Sequence, residues 1–250
     1  TAATASPRSA ACGSRRVLHA GRGKSRFAAF ARGDTNGSAA PLPRRRLLGA
    51  DKGAEIARTL RADVLWQRGH RGEGVRVAVF DTGLGAHHVN FDSVEERSNW
   101  TDEDTLEDKI GHGSFVAGCI GASSTQCPGL APKAALLTMK VFTNDQRSYT
   151  SWFLDAFNWA LYREVDILNL SVGGPDLLDL PFVDKVREVV GSKILFVTAN
   201  GNDGPLWGTV LSPADMPAVL SVGGINNEER LAPFSACGMA SWALPHGMGH

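Results

Sequence analysis

The chain of 250 residues carries 26 basic and 26 acidic side chains, for a formal net charge of zero, and is 43% apolar. That is enough apolar side chain for a large core, and at 21% charged it is unlike chains that stay mostly disordered. No apolar run approaches the ~20 residues that a membrane-spanning helix requires.

The neutral total hides a division. Residues 1–50 hold nine Arg and one Lys against the single acid Asp34, so the remainder is net acidic. Up to Leu48 the chain is Ala, Gly, Ser and Arg with little periodicity. Residues 1–48 therefore read as a mostly unstructured basic arm or linker, and 49–250 as the folded domain. Such an arm could bind nucleic acid, act as an Arg-rich targeting segment, or dock on the body as the end of a pro-segment. The missing aromatic interleaving and the acidic body argue against nucleic acid as a partner. The sequence opens at Thr1 and stops after His250 without a closing element, as a piece of something longer would.

Order is expected from about Ile56, where Ile56, Leu60, Ala62 and Leu65 fall on one helical face up to Gln67. Gly69, Gly72 and Gly74 interrupt it. Apolar runs of strand length follow: Val75–Phe80, Ala134–Phe142, Val165–Val172, Lys193–Thr198 and Ala218–Val222. Runs this continuous suit strands buried on both faces. Between them, Tyr149–Glu164 and Leu180–Val190 repeat their apolar residues with helical spacing. Strand–helix–strand alternation with short connections predicts an α/β fold, a parallel sheet flanked by helices. Reacting groups in such sheets sit just beyond the carboxyl ends of the strands.

Three segments lie there. Val75–Phe80 runs straight into Asp81-Thr82-Gly83, an acid over the crevice followed by a sharp turn. Gly111-His112-Gly113-Ser114 places a histidine between glycines at the opening of an apolar helical stretch. Ala199-Asn200-Gly201-Asn202-Asp203-Gly204 follows a strand, where an Asn amide can form an ordinary turn or donate to a developing oxyanion. His87 and His88 read as loop residues. The cysteines, Cys12, Cys119, Cys127 and Cys237, form no zinc pattern; Cys119 and Cys127 could bridge across a turn, but read first as small buried apolar residues.

Together, Asp81, His112 and Asn202 resemble the subtilisin-like serine proteases. Their separations, 31 and 90 residues, lie close to the about 32 and 91 of subtilisin. By that resemblance Asp81 orients His112, His112 is the general base and acid, and Asn202 helps to hold the oxyanion. Val75–Gly83, Val141–Gly174 and Gly201–Leu206 narrow the likeness to the site-1 branch of the family, over about Ile56 to His250. Those are membrane-bound Golgi enzymes that cleave membrane-tethered transcription-factor precursors.

The resemblance carries further expectations. Ser171, Val172 and Gly173 match the strand that pairs with substrate, and Arg147 falls on the opposite wall of the cleft. A protein or peptide substrate would bind between them as an added strand. Arg45-Arg46-Leu47-Leu48 resembles the branch's self-cleavage motif, which would make the arm a pro-segment cut after Leu48. Cleavage after Arg-x-aliphatic-x sequences in the lumen of the endoplasmic reticulum or Golgi is implied, with organellar targeting of the arm left as an alternative. The nucleophilic Ser would fall near position ~268, outside the 250 residues, so the domain reads as C-terminally incomplete and this chain as inactive. A membrane anchor would likewise lie beyond it. Asn99-Trp100-Thr101 is a glycosylation sequon, and Asn169-Leu170-Ser171, on the substrate strand, should stay unmodified. Calcium commonly supports the family, with no ligands assignable here; the acids from Asp102 to Asp108 read equally as a solvated loop. A catalytically dead peptide-binding module and a broad-specificity subtilase of another branch are the competing readings.

Overall fold

The computed structural model describes residues 17–19, 55–85, 90–125, 127–174, 179–226 and 228–238. The predicted parallel sheet is present. Six strands lie in the order β3 (Val94–Asn99), β4 (Ala135–Lys140), β2 (Arg76–Asp81), β6 (Ile167–Leu170), β7 (Leu195–Ala199) and β8 (Leu220–Val222). All five pairings are parallel. The two expected helices are α3 (Thr150–Tyr162) and α4 (Leu180–Gly191), and α2 (His112–Gly121) opens on the histidine. A short β5 (Arg147–Tyr149) pairs antiparallel with β1 (Val17–His19), which belongs to the arm.

Alternation along β2 divides the core. Ala78 and Phe80 face α3 and α4, whereas Val77 and Val79 pack with Ala117 of α2 on the other side. The α3–α4 face is the larger. There Phe157 stacks on Phe80 with ring centroids 5.0 Å apart and meets Phe182 and Phe196 at 5.6 and 5.9 Å. The buried residues of α3, Phe153, Ala156, Phe157 and Ala160, have the helical spacing on which its prediction rested.

Three expectations need correction. The N-terminal helix is not one continuous face: residues 55–59 are helical, Arg61 is left-handed at φ 57°, and a new helix, α1 (Ala62–Gln67), starts after it. The break resets the phase, so Ala57 and Ala62 are buried while Ile56, Leu60 and Leu65 are about half exposed. The run Ala218–Val222 is not buried on both faces, since all three residues of β8, the outermost strand, are exposed. Cys119 and Cys127 are exposed free thiols, because α2 turns Gly113, Ala117 and Gly121 inward instead. Within 1–48, Val17–His19 is a strand.

β3 escapes a search for apolar runs because it is held by charge. Arg76 meets Glu95 at 2.5 Å, and Arg163 reaches Glu95 at 2.7 Å and Glu96 at 2.5 Å. The indole of Trp159 donates to Glu96 at 2.6 Å. Segments 45–48, 86–89 and 239–250 lie outside the described residues, and with them the self-cleavage motif, His87 and His88.

Replacing Phe157 with Ala should cost about 3–5 kcal/mol, as expected for an aromatic ring removed from a packed core. A drop in urea midpoint with an unchanged slope would show it.

Candidate active site

The sheet delivers Asp81 to the site. It ends β2 in register with Lys140 of β4, and its side chain is 1% exposed. Gly83, at φ +106°, turns the chain away at once. α2 then enters so closely that a Cβ on Gly113 would stand 2.3 Å from the Gly83 carbonyl oxygen. The glycine after His112 is thus what lets the helix approach the acid.

At that approach Nδ1 of His112 lies 2.7 Å from Oδ1 of Asp81. The same carboxylate oxygen accepts the Thr82 N–H at 2.8 Å. With Nδ1 committed to the acid, Nε2 is the ring's other nitrogen, on a side chain 32% exposed. The hydrogen bond to Asp81 raises the imidazole pKa against the opposing effect of burial. The negative charges of Asp81 and Asp108 add to the rise.

By sequence, Asp108 reads equally as a calcium ligand or as part of a solvated loop. It is instead the junction of the site. Its Oδ1 accepts Thr82 Oγ1 at 2.8 Å, Gly111 N at 2.8 Å and Ile110 N at 3.2 Å; its Oδ2 accepts Ser114 Oγ at 2.7 Å and Ser114 N at 2.9 Å. Thr82 Oγ1 in turn accepts Gly113 N at 2.9 Å. The loop bearing Asp81 and the helix bearing His112 are therefore tied through one carboxylate. Burial alone would raise its pKa, but the donors from Ser114, Gly111 and Thr82 outweigh that and hold it below the usual carboxyl value.

A second buried charge supports the same loop. Lys140 is fully buried, donates from Nζ to the Thr82 carbonyl at 3.0 Å and pairs with Glu103 at 3.3 Å. Glu103 also accepts Asn144 N and Nδ2, both at 2.9 Å. Lys140 passed unnoticed because it sits in an otherwise apolar run, and a charge inside a buried strand was the signal available.

The loop after β7 carries two asparagines with different fates. Asn200 spends its amide on the Ala236 carbonyl at 2.7 Å and Ser235 Oγ at 3.4 Å. Asn202 is exposed and its side chain takes no hydrogen bond among the described residues. Its loop is clasped by Phe234–Cys237 through Gly204 N to Phe234 O and Ala236 N to Gly201 O. Cys237 packs its sulfur 3.2 Å from the Pro205 carbonyl oxygen.

The residues expected to wall a substrate cleft lie at two strand ends. Ser171, Val172 and Gly173 continue beyond β6, half-buried, to Gly174, which bonds Ser212 in both directions at 3.0 and 2.9 Å. Arg147 is exposed on β5, 3.7 Å from the equally exposed Asp145. Of the serines, Ser114 is held by Asp108, Ser171 Oγ accepts Asn169 Nδ2 at 2.8 Å, and Ser235 is buried against Gly224 N at 3.0 Å. Asn99, of the sequon, closes a turn by accepting Thr101 N and Oγ1 at 2.9 and 2.7 Å. Among the described residues no group of three or more His, Cys, Asp or Glu is arranged to hold a metal ion, and Glu103 and Asp108 accept hydrogen bonds from protein donors.

A histidine turned by a buried acid at the carboxyl ends of a parallel sheet, with an exposed Asn beyond the end of another strand of that sheet, is the arrangement of a subtilase. The profile of the subtilase family matches residues 72–245, and the chain belongs to that family. It is 57% identical over 205 residues to the human membrane-bound transcription factor site-1 protease, covering 82% of this chain and 19% of that protein. It is also 54% identical over 188 residues to the Arabidopsis thaliana subtilisin-like protease SBT6.1, covering 75% and 18%. Subtilisin E of Bacillus subtilis is 32% identical over 185 residues, covering 72% and 48%. The chain thus spans about a fifth of the two most similar of these.

Two outcomes follow from the geometry. NMR titration of the His112 ring should give a pKa above the ordinary imidazole value, falling most in Asp81→Asn and less in Asp108→Asn. Asp108→Asn should also cost about 1.5–3 kcal/mol near neutrality, the scale for hydrogen bonds to a charged group. Because the folded pKa of Asp108 is lowered, its contribution exists above the ordinary carboxyl pKa and is lost as pH falls through the folded value. The difference between wild type and Asp108→Asn in urea unfolding should therefore shrink on acidification.

Proposed function

We propose that this chain is the front part of the catalytic domain of a site-1-type serine endopeptidase. What carries the reading is the Asp81–His112 hydrogen bond at the strand ends, with Asn202 exposed and its side chain without a hydrogen bond among the described residues. In this reading Asp81 fixes the tautomer and orientation of the ring. Nε2 of His112 takes the proton from the attacking serine hydroxyl and returns it to the leaving amine. The Asn202 amide donates to the oxyanion of the tetrahedral intermediate, which leaves it little donation to the planar ground state. Substrate enters as an extended strand between Arg147–Tyr149 and Ser171–Gly173.

The finer reading concerns substrate and place. The likeness to the human and Arabidopsis proteins supports cleavage after Arg-x-aliphatic-x sequences, in proteins of the endoplasmic reticulum and Golgi lumen. Residues 1–48 act as the end of a pro-segment processed after Leu48, and Asn99 carries a glycan in that compartment. The pairing of β1 with β5 supports an arm that docks on the cleft.

The nucleophile lies outside these 250 residues in this reading. The isolated chain should then show no serine-dependent peptidase activity, a loss of about 10⁶-fold in turnover in subtilisin. The longer protein, with Gly-Thr-Ser encoded near ~268, should cleave a peptide containing Arg-Arg-Leu-Leu after the last Leu and stop doing so in His112→Ala. Cleavage that persists in that variant would overturn the assignment.

A further inference from the structure

Two thiols lie outside everything that the proposed chemistry uses. Cys119 stands on the last turn of α2, and Cys127 on the loop that follows it; both are exposed and both are free.

The backbone folds this loop back onto the helix it leaves. Gly129 N donates to the Ala122 carbonyl at 2.8 Å, Leu130 N to that of Cys119 at 3.0 Å and Ala131 N to that of Ile120 at 2.7 Å. A Cβ on Gly129 would stand 2.6 Å from the backbone nitrogens of Gly121 and Ala122, so the returning chain is pressed against the helix end. Cys127 precedes that contact by two residues, and its N–H reaches Ser124 Oγ at 3.4 Å. The two cysteines are thus drawn to one end of one helix.

That end depends on the loop. α2 runs into Ala122 in extended backbone, and its last turn holds no basic side chain to meet the exposed carbonyls. The returning chain supplies the donors instead, to Cys119, Ile120 and Ala122. The thiols lie close enough to act on one another. Partial burial raises the pKa of the Cys119 thiol, and the nearness of Cys127 adds to the rise. Cys237 is engaged elsewhere, its sulfur against the Pro205 carbonyl beyond β7.

We infer that Cys119 and Cys127 form a disulfide that fastens the returning loop to the last turn of α2. The oxidant is a small-molecule disulfide of the glutathione class. The Cys127 thiolate attacks one of its sulfurs and displaces a thiolate. Cys119 then gives up its proton, attacks the Cys127 sulfur and displaces the second thiolate. The two protein thiols lose two electrons, the S–S bond of the oxidant gains them, and both protons end on the departing thiols. None of this depends on the peptidase reading.

The test oxidises the intact chain in a glutathione buffer at the poise of the secretory lumen. Remaining thiols are blocked with iodoacetamide before digestion with trypsin. No Lys or Arg lies between Lys109 and Lys133, so both cysteines fall in one peptide, residues 110–133. That peptide should appear unlabelled and lighter by its two thiol hydrogens, and should take two labels when reductant precedes the block. Two labels under oxidising conditions, glutathione retained on either cysteine, or a link from either to Cys12 or Cys237 would overturn the inference. Melting reads the fastening. The oxidised chain should unfold about 5 °C above the reduced one, the scale for a short closed loop in a chain of this size. The double variant Cys119→Ser, Cys127→Ser should melt alike in both buffers. A wild-type chain that also melts alike in both would overturn the fastening.

Discussion

Two loops that the sheet supplies independently must be held within a few tenths of an ångström for the Asp81–His112 contact to exist. The Asp108 carboxylate meets that requirement. It binds the Thr82 hydroxyl on one side and the first turn of α2 on the other, so the acid and the base are fastened to the same pair of oxygen atoms. Five donors around one partly buried carboxylate outweigh its desolvation, which is why it stays ionised where a poorly satisfied acid would take up a proton. The approach of Gly113 to Gly83 then sets how near the helix can come. Orientation of the ring follows from this frame more than from the ring itself.

Lys140 extends the frame in a second direction. A fully buried ammonium is costly unless its charge and its protons are matched, and here Glu103 and the Thr82 carbonyl do so. Glu103 also grips the backbone and side chain of Asn144. The turn that precedes the β5 wall is thereby joined to the loop that carries Asp81. The turn before β5 and the Asp81–His112 pair are parts of one polar network, laid over a core made of aromatic rings.

Much of this was legible in the residues, and the exceptions have physical reasons. Strands β2, β4, β6 and β7 announce themselves because a strand covered on both faces must be apolar along its length. Asp81, His112 and Asn202 stand out because strand ends and glycine flanks are where a parallel sheet exposes chemistry. β3 does not, because Glu95 and Glu96 are stabilised by Arg76 and Arg163 and no apolar alternation is needed. Asp108 reads as one acid in a loop rich in them, since only the fold shows that its oxygens turn inward. The N-terminal helix was misphased because periodicity assumes an unbroken helix, and Arg61 breaks it.

β8 has a consequence for the behaviour of the domain in isolation. Among the described residues it pairs with β7 on one side only, and Leu220, Ser221 and Val222 are exposed and uncharged. Soluble proteins usually guard such a border with a lysine, a proline or a bulge, because free amide and carbonyl groups beside aliphatic side chains will accept a strand from any neighbour. None of these guards lies within the three residues. This border is therefore the place from which concentrated solutions of the isolated domain would begin to aggregate.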